Sequence, residues 1–89
     1  MDFSEAFKQM MENGECISRT AWIETGEFVM FIPAKQWLID FPETHPLFHY
    51  PRHGFFAIVT KEKKVGHWVP LTVDLLAKDY CIYNPKPQV

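Results

Sequence analysis

An 89-residue chain allows one domain with a thin core, because a chain of this size buries only about 60–65% of the surface its unfolded form exposes. Nine basic and eleven acidic residues, net −2, are scattered along it, which excludes the electrostatic footprint of a duplex-binding protein, and no apolar run approaches the ~20 residues of a membrane span. Aromatics at 16% are more than so small a core readily hides, so some rings are expected at an interface or a pocket, and self-association would help.

Taken in chain order, residues 2 to 13 carry the clearest periodicity. Phe3, Ala6, Phe7, Met10 and Met11 follow the i, i+3, i+4, i+7, i+8 rule while Glu5, Lys8, Gln9 and Glu12 fall on the other face, which predicts a three-turn helix. Asp2 with Glu5 three residues later resembles a capping box, and Gly14 supplies the left-handed residue that ends helices. An amphipathic start led by an acid is unlike a signal peptide.

Short strands follow. Glu15 to Arg19 alternates weakly, Glu24-Thr-Gly-Glu27 supplies a turn, and Phe28 to Ile32 is an apolar run closed by Pro33, so a hairpin is expected. Ala34 to Asp40 reads equally as a strand or a helical turn. Residues 42 to 53, with Pro42, Pro46 and Pro51 among three histidines, read as a loop. Gly54 to Thr60 is the strongest strand; the charged turn Lys61-Glu-Lys-Lys64 separates it from Val65 to Val69, which predicts a second hairpin and a solvated tip. Thr72 then reads as the cap of a short helix through Lys78, with Asp74 complementing the helix dipole in its first turn. Tyr80 to Tyr83 returns as a strand. The expected architecture is α+β: a small twisted antiparallel sheet packed on the N-terminal helix, with a short C-terminal helix, one domain over residues 1–84 and a mobile tail over 85–89.

Few residues point to catalysis. His45, His49 and His53 are spaced four apart, but Pro46 and Pro51 forbid the helix that would align them on a metal, and Cys16 and Cys81 read as small buried hydrophobes. Hydrolytic elbows, phosphate-cradling glycine loops and His-Glu-x-x-His pairs are missing. Asp74 and Asp79, five apart, would diverge by about 140° on one helix and so fail as an acid/base pair. These readings argue for a non-enzyme without cofactor or metal. Trp22, Trp37, Trp68, Phe28 and Tyr80 offer flat faces that suit a nucleobase, with core packing as the competing reading for each tryptophan, and Arg19 and Arg52 offer guanidinium forks that suit phosphate.

Two blocks carry a family resemblance. The opening Phe3-Ser-Glu-Ala6, Gly14, Arg19 and Trp22, with the ending Trp68-Val-Pro70 and Asp74-Leu-Leu-Ala-Lys-Asp-Tyr80, resembles the second type of Thoeris anti-defence protein, a phage family. Tyr80 stands where the family more often has Trp, and Trp68-Val-Pro70 orders its residues differently from the commoner Val-Pro-Trp. The resemblance implies a homotetramer in the cytoplasm of the infected bacterial host that holds a cyclic ADP-ribose isomer in pockets shared between subunits, without cleaving it. Cyclic di- or oligonucleotides are ligands of some relatives. Carried over residue by residue, Trp22, Trp68 and Asp74 become pocket candidates, with Arg19 beside them; Arg52 joins from charge chemistry alone, and Trp37 is assigned to the core. The alternative from a different class is an inhibitor that docks directly on a host protein.

Overall fold

The computed structural model describes residues 1–34, 43–46 and 53–85. Trp37, Arg52, His49 and the undecided segment after Ala34 lie outside these residues, as do residues 86–89 of the expected tail.

The N-terminal periodicity becomes helix α1, Phe3–Asn13. Asp2 caps it by accepting a hydrogen bond from the Glu5 amide at 2.8 Å, and Gly14 ends it at φ 65°, a conformation that costs a residue with a side chain. Five strands follow: β1 Cys16–Arg19, β2 Phe28–Ile32, β3 Phe55–Val59, β4 Val65–His67 and β5 Tyr80–Tyr83. They form one antiparallel sheet in the order β4-β3-β2-β1-β5, so the architecture is α+β with the helix on one face of the sheet. Both expected hairpins are present. A 3₁₀ turn, Thr20–Trp22, opens the connection between β1 and β2.

Register sets which residues share a face. Ile17 lies opposite Val29 on β2 and Ile82 on β5, and Val29 lies opposite Ile58. Ile17 and Val29 are fully buried and join Ala6 and Met10 of α1, Trp68 and Tyr80 in the core, with Phe3, Trp22, Phe56 and Ile58 packed against it. Chain entry into β3 depends on Gly54. A Cβ there would overlap the Phe31 ring and stand 2.8 Å from the Ile32 carbonyl oxygen, a backbone atom held by the ladder. Gly54→Ala is expected to cost about 1–3 kcal/mol, the range for overpacking, as read from the midpoint of chemical denaturation.

The end of the chain departs from the sequence reading in two ways. Helix α2 spans Thr72–Leu76, with Leu71 at the cap position and Thr72 inside the first turn. The Asp74 carboxylate reaches back and accepts the Leu71 amide at 2.8 Å, so the acid three residues into the helix does the capping expected of Thr72. The helix also stops short of Lys78, since Ala77 is extended (φ −68°, ψ 147°). Three residues must then carry the chain to Tyr80 at the start of β5.

Candidate functional site

Early termination of α2 overturns the geometry assumed for its two acids. With the helix ended at Leu76 and Ala77 extended, Asp79 comes round toward Asp74, and both carboxylates meet one guanidinium. Arg19, the last residue of β1 and the register partner of Tyr80, donates from Nε to Asp79 Oδ1 at 2.9 Å and from an η nitrogen to Asp74 Oδ1 at 3.2 Å. The divergence of about 140° holds only on a continuous helix. Asp79 is further fixed by its carbonyl, which accepts from the Thr20 amide at 3.1 Å and the Thr20 hydroxyl at 3.2 Å.

Rings close the cluster. The Arg19 guanidinium carbon lies 5.5 Å from the Trp22 ring centroid and 5.8 Å from that of Tyr80, within cation–π range. Trp22 meets Trp68 edge to face at 6.4 Å and Tyr80 at 6.5 Å. Tyr80 donates its hydroxyl to the Asp74 main-chain carbonyl, a bond inside the core. Burial, followed by the nearby Asp74 charge, pushes the Tyr80 phenol up to about 12.

Charge is largely settled inside this group. The hydrogen bond to Asp79 raises Arg19 above its ordinary value, and the same bond holds Asp79 below the ordinary carboxylate range. A carboxylate depressed in the folded state stabilises in full above its unfolded value, about pH 4, and that stability is lost as pH falls through the lower folded value. Melting temperature is therefore expected to drop through this acid window, and Asp79→Asn to flatten the drop; thermal melts from neutral pH to about pH 2 check it.

Of the five residues named from sequence, four fall within the described residues, and all four converge here. Arg19 reaches both Trp22 and Asp74, while Trp68 is 9% exposed and belongs to the core, edge to face with Trp22. Trp22 is the more exposed of the two tryptophans, and Trp68 packs against it edge to face. Arg19 does not stand as a free fork, because both its bonded edges face carboxylates. Asp79 is the site residue that sequence reasoning set aside, and Tyr80 was weighed only as a stacking face. The signal for Asp79 was its position immediately before a strand, which forbids a helix running up to it.

Around the cluster the surface is aliphatic. Val69, Leu71, Val73 and Leu76, on and before α2, are strongly exposed, with Leu75 and Ile82 about half exposed. Among the described residues no helix is long and apolar enough to cross a membrane, and no group of three His, Cys, Asp or Glu is placed to hold a metal ion.

A family model described as Tad2-like, the Thoeris anti-defense 2-like domain, matches residues 1–83, and the chain belongs to that family. No curated protein matches it.

Proposed function

We propose that this Thoeris anti-defense 2-like protein acts as a sponge: it captures a cyclic nucleotide immune signal, a cyclic ADP-ribose isomer first among them, and holds it intact. The observation that carries the reading is the way Trp22 is mounted. Its ring is half-buried, held edge to face by Trp68 and Tyr80, with the Arg19 guanidinium over it. Stacking of a base on such a ring is worth roughly 1–3 kcal/mol. Asp74 and Asp79 are both engaged by Arg19, which suits binding without turnover better than acid/base chemistry. Phosphates then need another cation, and Arg52 stays the candidate.

Assembly follows from the surface. Five exposed aliphatic side chains over residues 69–76 flank Asp74, a surface that self-association would cover, and the proposed form is a homotetramer with shared pockets, acting in the host cytoplasm. The same patch supports the second reading, direct docking on a host protein. One experiment separates these and the enzymatic alternative. The protein is incubated with a cyclic ADP-ribose isomer, desalted, heated, and the supernatant analysed by mass spectrometry. Intact release is the expected result; a changed product means an enzyme, and no retention leaves docking. Native mass spectrometry on the same sample is expected to show a tetramer, and a 10.5 kDa monomer at micromolar concentration would sink the shared-pocket reading.

A further inference from the structure

The other face of the sheet holds a second group of side chains that the Arg19 cluster does not use. Because Ile17 and Val29 face α1, alternation turns Ser18, Phe28 and Tyr83 to the opposite side. Phe28 on β2 and Tyr83 on β5 flank β1, yet their rings stack at 5.1 Å and 28°. They meet across β1 where Ser18, fully buried, donates its hydroxyl to the Glu27 carbonyl at 2.8 Å.

This stack carries the Tyr83 hydroxyl to Gly26. A Cβ on Gly26 would stand 3.7 Å from that hydroxyl and 3.1 Å from Nζ of Lys63, so phenol and ammonium face one space beside bare backbone. Gly26 has φ 74°, where glycine is the favoured residue, and Nζ of Lys63 packs close against it. Lys63 shares the left-handed conformation without being glycine. It sits at φ 64° in the turn between β3 and β4, where its amide donates to the Thr60 carbonyl at 2.9 Å. Glycine or asparagine is the residue such a position favours, and a lysine held there against its backbone preference points to a use for the side chain. Among the described residues Lys63 forms no ion pair, since both carboxylate pairs belong to Arg19. A compact ammonium and a hydroxyl donor brought together beside the Gly26 turn suit an oxyanion.

We propose that Lys63, the Tyr83 hydroxyl and the Gly26 turn form a binding site for the phosphate group of a small phosphorylated ligand, on the sheet face opposite α1 and separate from the Trp22 cluster. The proposal does not depend on the sponge reading. Inorganic phosphate is the probe, titrated into isotope-labelled full-length protein at constant ionic strength with chloride as the balancing ion. Saturable shifts of the Gly26, Lys63 and Tyr83 amides are expected. Lys63→Gln should weaken this binding about tenfold or more, the scale of a charged hydrogen bond, while Lys63→Arg retains it. Lys63→Gly guards against a folding artefact: relief of the left-handed strain should raise the melting temperature by a few degrees while binding is lost. Capture of the cyclic ADP-ribose isomer should be unaltered in Lys63→Gln. The proposal is overturned by equal phosphate affinity in Lys63→Gln and the parent, by shifts that never saturate, or by loss of both ligands together in Lys63→Gln.

Discussion

Replacing Trp68 with alanine is expected to remove about 3–5 kcal/mol of stability, the cost of truncating a buried aromatic, and so to unfold much of the protein. A domain of this length has roughly 4–13 kcal/mol in hand at about 0.05–0.15 kcal/mol per residue. Trp68 joins the elements that make the core: its ring lies 6.2 Å from Phe3 on α1, 6.5 Å from Phe56 on β3 and 6.4 Å from Trp22, and its amide donates to the Phe56 carbonyl at 2.7 Å. Trp22→Ala is expected to behave differently. Its ring is half-buried, and its two edge-to-face contacts are worth about 0.5–1.5 kcal/mol each beyond area burial, so the fold should survive while ligand capture is lost. Urea denaturation and ligand titration on both variants decide the assignment. It fails if Trp68→Ala melts like the parent yet no longer binds, or if Trp22→Ala binds normally.

How far the sequence leads depends on how local each feature is. Helix α1 was legible because its face, its Asp2 cap and its Gly14 stop all lie within thirteen residues of one another. Phe28 to Ile32 and Phe55 to Val59 were legible as strands, each with its hairpin partner, but not as neighbours of one another. Their runs are continuously apolar, so no alternation reveals which side faces α1. The pairing of β5 with β1 was not legible at all. It joins Arg19 to Tyr80 across some sixty residues, and only that pairing brings Asp74 and Asp79 to the same guanidinium. Composition raised the expectation of rings at the surface, yet among the described residues the strongly exposed apolar side chains are aliphatic; the two blocks that carry the resemblance named Arg19, Trp22, Trp68 and Asp74, but a list of residues carries no information on which of them are already paired with one another.

Pairing changes what Arg19 should do when it is altered. Loss of its guanidinium leaves Asp74 and Asp79 facing each other with no cation between them, in a setting where the Arg19 and Asp74 side chains are 19% and 11% exposed. Charged hydrogen bonds of this kind are worth about 1.5–3 kcal/mol, and Asp79, a third exposed, falls toward the lower end through solvent screening. Arg19→Ala is therefore expected to lower stability by about that amount and to weaken capture at least tenfold, because Trp22 loses the cation that braces its ring. A direct phosphate contact predicts the same loss, so the decisive variant is Asp79→Asn. If Arg19 positions Trp22 and Asp74, removing the Asp79 charge loosens the guanidinium and weakens capture. If Arg19 instead receives phosphate, the same change frees a fork from its carboxylate and tightens the anionic ligand. Calorimetric titration of the parent, Arg19→Ala, Asp79→Asn and the double variant gives the sign: weaker binding in Asp79→Asn, with losses that are less than additive in the double variant, is the expected result, and tighter binding would return Arg19 to the role of phosphate receptor.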